Sequence, residues 1–191
     1  MPKKSAAVNV LLEDLNSKQV AVKYNSIKTL RQMSEENPGL LYPYFETFVR
    51  LLDGTNNILK WNAIDIIGNL AAADTEDKFS PSFGKYYGLL VSGSLITAAH
   101  VVESSPVIIK HKPGLEDQIT STLFSVEFVP LPTAECRDIL RSKVILAFSK
   151  YANTSKHKNL MLGFAGKLTN KTDIRPATKK KAEAFIKKFR K

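Results

Sequence analysis

Cysteine is almost absent from this chain. Cys136 stands alone among 191 residues, and a single thiol excludes an internal disulfide framework. The spacings CxxC, HExxH, GxGxxG and GxxxxGK[ST] do not occur either, so the short signatures of zinc, dinucleotide and triphosphate sites are missing. The apolar runs, LITAA among them, fall far short of the ~20 residues that a membrane-spanning helix needs. The opening stretch MPKKSAAVNVLLEDLNSK has two lysines but no unbroken apolar segment like that of a signal peptide. The expectation is a soluble, cytoplasmic protein with no cofactor, no metal and no membrane span. Alternation of period two is not sustained anywhere, which argues against sheet.

Excess charge is also scarce over most of the chain. The net charge of +10 looks like a nucleic-acid signal until it is located. Residues 156–191 hold 12 Lys plus Arg against Asp173 and Glu183, whereas residues 1–155 carry 16 of each sign. The basic character therefore belongs to the C-terminal segment. With 43% hydrophobic residues, the chain can bury a core as one domain or one short repeat array.

An internal repeat is present. KYNSIKTLRQMSEEN at residues 23–37 and KWNAIDIIGNLAAAD at residues 60–74 have the same pattern 37 residues apart. Setting Lys23, Lys60, Thr97 and Arg141 in register aligns Ile27, Ile64, Val101 and Ile145. Leu30, Ile67 and Phe148 follow, then Met33, Leu70, Val107 and Tyr151, with Ser104 breaking the third copy. Steps of three and four residues place side chains on one helical face, which predicts first helices near 19–37, 56–74, 94–112 and 136–153. Asn37-Pro38-Gly39, Ser80-Pro81 and Lys112-Pro113-Gly114 then predict a stop before a second helix in three of the copies. A short helix is expected at residues 5–17.

Residues 38–70, PGLLYPYFETFVRLLDGTNNILKWNAIDIIGNL, resemble the HEAT repeat: a proline opens the second helix, and a double leucine, an Asp in the turn, a basic residue, a small residue and two aliphatics follow. Asp53 fills that family's turn-acid position, and Lys60 and Arg141 its basic ladder. The third copy departs from the pattern, with Thr97 for the base, His100 in the small-residue slot and Pro106 interrupting the first helix. The resemblance covers roughly residues 5–169 and implies an all-α, right-handed superhelix of about four helix pairs at 1–169. A basic amphipathic helix at 170–191 would cap the last pair. It implies a fold and not an activity, since solenoids serve many functions.

Trp61 and Asp65 share a flank of their helix at ~100° per residue, where Tyr24 and Lys28 stand one repeat earlier, and a packing role between repeats is expected. HEAT-like DNA glycosylases use a Trp and an Asp near a flipped base, but on the concave face lined by second helices, whereas Trp61 belongs to a first helix. His100, His111 and His157 are too far apart in sequence for a local metal cluster. Cys136 precedes Arg137 near a helix start, where the dipole and a cation lower a thiol pKa, but a nucleophile also needs a placed base, and a small buried thiol is the expectation. No enzyme is expected.

The resemblance puts Tyr42, Glu46, Arg50, Lys85, Tyr86, Glu116, Asp117, Thr120, Lys158 and Lys167 on the concave face. That stripe is mixed in sign, whereas a groove following a phosphate backbone should be basic throughout. A protein or peptide partner is the expectation there, with tyrosine and arginine of the kind enriched at interfaces. In the tail, Ala182, Phe185, Ile186 and Phe189 fall on one face, and Lys179, Lys180, Lys187, Lys188, Arg190 and Lys191 take most of the rest. Capping is expected of the apolar face. The cationic face makes nucleic acid an alternative partner.

Overall fold

The computed structural model describes residues 2–190, with side chains from Ala6 onward, and among the described residues every element is helical. The chain divides into two compact units, Met1–Tyr87 and Gly88–Lys191.

The first unit contains α1 (Pro2–Asp14), α2 (Val20–Glu36), α3 (Pro38–Leu41), α4 (Phe45–Leu51), α5 (Asn57–Leu70) and α6 (Phe79–Gly88), the last ending at the unit boundary. α2 packs on α1 and α5, and α4 packs on α5. The periodic apolar positions explain this, because Ile27, Leu30, Ile64, Ile67 and Leu70 all lie in the core with Phe45, Phe48 and Phe79. The expected second helix after Pro38 is broken. A 3-10 turn, Tyr42–Tyr44, separates α3 from α4, because Pro43 supplies no N–H and restricts the residue before it.

Caps fix the helix starts. Asn56 accepts from the Ile58 and Leu59 amides at 3.1 and 3.2 Å and so begins α5. Ser80-Pro81 does not begin α6, which starts at Phe79. The Asp74 carboxylate takes the Lys78 and Phe79 amides at 2.8 and 3.0 Å. A charged acceptor held by Tyr42 outcompetes the hydroxyl of Ser80, which itself donates to Asp77 at 2.7 Å.

The second unit contains α7 (Leu95–His111), α8 (Glu116–Phe124), α9 (Ala134–Phe148), α10 (Lys158–Thr169) and α11 (Pro176–Phe189). α9 packs on α7, and α11 packs on both α9 and α10. Pro106 was expected to interrupt α7 and does not: the helix runs through it with Pro106 buried. Burial of Val101, Val102, Ile108 and Ile109 on either side offsets the one lost backbone bond. α11 is anchored at its start by Asp138 of α9, whose carboxylate accepts the Arg175 amide at 2.8 Å and whose carbonyl accepts the Thr178 hydroxyl at 2.9 Å. Its apolar face, Ala182, Phe185 and Phe189, is in the core.

Candidate functional site

In the first unit the second helices carry both surface and core residues. Glu46 and Arg50 of α4 are exposed, with the Arg50 guanidinium donating to the Thr47 hydroxyl at 2.9 Å. Lys85 of α6 pairs with Asp53 at 2.7 Å. Thus the turn acid Asp53 meets a lysine of the next second helix. Two of the expected interface residues lie instead in the core. Tyr86 is fully buried, its hydroxyl donating to the Ile64 carbonyl at 3.1 Å. Tyr42 is 7% exposed, donates to Asp74 at 2.6 Å and accepts the Glu76 amide at 3.1 Å. Burial and the Asp74 carboxylate hold its phenol above the usual range. Both tyrosines serve packing and turn geometry, out of a partner's reach. On α5, Asp65 is engaged by Arg31 of α2 at 3.1 Å, and Trp61 is half-buried.

In the second unit the acidic members of the expected face are also engaged. Asp117 accepts from Lys156 and from His157, both at 2.7 Å, and these two partners hold its carboxyl below the usual range. Glu116 accepts the Ser155 hydroxyl at 2.5 Å. Thr120 is buried, 3.1 Å from the Tyr151 hydroxyl, so it is not a surface residue either. Lys158 is half-buried and Lys167 exposed on α10.

Arg141, the ladder base of the last copy, closes a buried cluster. It grips Glu127 with two bonds, 2.8 and 2.6 Å, and Asp138 at 2.7 Å. Burial pushes the Glu127 carboxyl up, but Arg141, with Lys171 at 3.7 Å, outweighs this and leaves it below the usual range. The guanidinium's task is to hold the turn before α9 to that helix.

Of the tail cations, Lys180, Lys187, Lys188 and Arg190 are exposed and Lys179 is half-buried. Lys188 lies 5.0 Å from the Phe189 ring centroid. Arg175 pairs with Glu135 at 3.3 Å, and Lys191 lies outside the described residues.

The pattern of sequence periodicity does not announce the feature that stands out on the second unit. Phe128, at the end of the 3-10 turn Ser125–Phe128, is 87% exposed, and Leu160 on α10 is 61% exposed. Both border an open cleft of about 700 Å³, lined also by Phe124, Phe164, Lys167 and Lys171. Its aromatic floor is rigid: Phe124 and Phe164 pack 5.7 Å apart, and each packs against Phe148, at 5.1 and 5.9 Å. Covering a phenylalanine of this exposure is worth about 1.5–3 kcal/mol, a gain that folding of this chain does not take.

Among the described residues no three His, Cys, Asp or Glu side chains gather to hold a metal ion, and no helix is long and apolar enough to cross a membrane. Compared with known proteins, the chain matches no family model and no curated relative.

Proposed function

We propose that this chain is a non-catalytic interaction module, a right-handed solenoid of HEAT-like helix pairs that binds a protein or peptide partner through its second helices in the cytoplasm. The observation that carries this reading is the apolar cleft of α8 and α10, with Phe128 and Leu160 on its rim. A contiguous exposed apolar surface framed by charged side chains is the signature of a protein contact. First helices packed on first helices within each unit, α2 on α5 and α7 on α9, accord with a repeat. The test is affinity capture with the full chain against Phe128→Ser combined with Leu160→Ser. A partner retained by the parent protein and lost from the variant at unchanged thermal stability is expected. Equal retention would remove the cleft from the function.

A second reading, nucleic-acid binding led by α11, rests on one observation: Glu183 is the sole acid of that helix, while Lys180, Lys187, Lys188 and Arg190 are exposed on it. If it holds, log K for a DNA duplex falls with log salt at about −0.9 per phosphate neutralised. Changing these four residues to Gln then makes that slope shallower by several units. An unchanged slope would leave α11 as a solubilising cap.

A further inference from the structure

We infer that the cleft between α8 and α10 receives an acidic segment of a partner protein, docking as a short amphipathic helix; this rests on the protein-docking reading above. Three observations select the occupant.

The first is the shape of the apolar surface. Leu160, Phe164 and Leu168 follow one another along α10 at steps of four, Lys167 and Lys171 are likewise four apart, and all five line the cleft, with Leu160 exposed and Phe164 and Leu168 largely buried. Leu160 to Leu168 spans eight residues, about 12 Å at the helical rise. That length accommodates two turns of a facing helix, whose anchors at i, i+3 or i+4, and i+7 fit such a groove. Phe128 forms the opposite rim, held by a one-turn 3-10 segment and the extended Val129 that follows.

The second is the charge of the rim. Lys167 and Lys171 border the cleft against one carboxylate, Glu127, both of whose oxygens already accept from Arg141. Lys167 has no acidic partner among the described residues. An incoming carboxylate therefore meets Lys167 and Lys171, the latter 3.7 Å from Glu127, and no unpaired acid. An incoming lysine would meet like charge at Lys167 and Lys171.

The third is the field of the unit as a whole. Residues 88–191 hold 18 Lys plus Arg against eight Asp plus Glu, whereas residues 1–87 hold ten of each. The entire excess lies on the unit that carries the cleft, and it draws acidic partners while disfavouring a second copy of itself. Single-stranded nucleic acid shares the acidic character, but it stacks on rows of aromatic faces. Here Phe128 is the one strongly exposed aromatic of the cleft, and the other strongly exposed apolar side chain is aliphatic Leu160.

The test is to pan a displayed random library of peptides of about 16 residues, roughly four helical turns, on the full chain, and to measure the enriched peptides by fluorescence anisotropy. Enriched peptides should carry large apolar residues at helical spacing and a net negative charge. Phe128→Ser with Leu160→Ser should weaken them at least about tenfold, and Lys167→Glu with Lys171→Gln by about tenfold, with circular dichroism unchanged. The second variant should also bind a Lys-substituted version of the best peptide more tightly than the parent protein does. Cleft-dependent peptides that are neutral or basic would overturn the acidic partner and leave the docking reading standing. Enrichment indifferent to Phe128 and Leu160, or no enrichment, would overturn both. An oligothymidylate bound through Phe128 would transfer the cleft to single-stranded nucleic acid. A dimer in sedimentation that Phe128→Ser dissociates would assign it to a second copy of the chain.

Discussion

At the residue scale, the buried cluster of Arg141, Asp138 and Glu127 makes the sharpest stability demand. Arg141→Met leaves Asp138 without its cation and Glu127 with Lys171 at 3.7 Å alone, and should cost on the order of 3 kcal/mol, read as a lowered urea midpoint at unchanged slope. Arg141→Lys should recover only part of it, because a single ammonium nitrogen lacks the planar fork whose Nε and Nη2 bind Glu127 while Nη1 binds Asp138. The same cluster sets an acid limit. The folded-state pKa of Glu127 lies below its unfolded value, so its stabilisation is fully present above the unfolded glutamate pKa, about 4.3. It is lost as pH falls through the lower folded value. Stability measured across that acid range should drop, and Glu127→Gln should flatten the drop while lowering stability at neutral pH. Trp61 is half-buried on α5 beside the ion pair of Asp65 with Arg31. Trp61→Ala should cost about 2–3 kcal/mol and leave partner capture intact; lost capture at unchanged stability would make it a binding residue.

At the scale of elements, α11 behaves as a core helix and not as an appendage. Phe185 and Phe189 pack 4.7 Å apart inside the second unit, and Asp138 ties the helix start to α9. Phe185→Ala should therefore cost about 3–5 kcal/mol. Changing Lys180, Lys187, Lys188 and Arg190 to Gln should leave the melting temperature nearly unchanged. A tail that tolerates the phenylalanine truncation would be undocked in solution. At the other end of the energy scale, Asn56→Ala removes a cap from α5, together with its 3.2 Å bond to the Tyr24 hydroxyl on α2. About 1 kcal/mol is expected, checked by the shift in urea midpoint.

For the whole molecule, the amino-acid sequence settles which residues of the first helices enter the core. Ile27, Ile64, Val101 and Ile145, aligned by period alone, are all essentially inaccessible to solvent. A helical repeat is a local rule: each residue's face follows from its spacing to the next, before any distant contact forms. The location of the charge excess was legible for the same reason, since it needs only counting. The composition of the candidate site was not. The inward turn of Tyr42, Tyr86 and Thr120 was not legible because Tyr42 lies in a 3-10 turn and the second helices α6 and α8 are short segments flanked by 3-10 turns. Two or three turns give periodicity too few positions to orient a face. Asp74 capped α6 in place of Ser80 because Tyr42, 32 residues away in sequence, holds its carboxylate in position. Phe124 and Phe128 are the same residue type one helical turn apart, yet one packs against Phe148 and the other is 87% exposed. Spacing cannot tell them apart, because what separates them is the packing of Phe148 of α9 and Phe164 of α10 against Phe124. That distinction arises only when segments remote in sequence close on each other, and it is where the cleft comes into being.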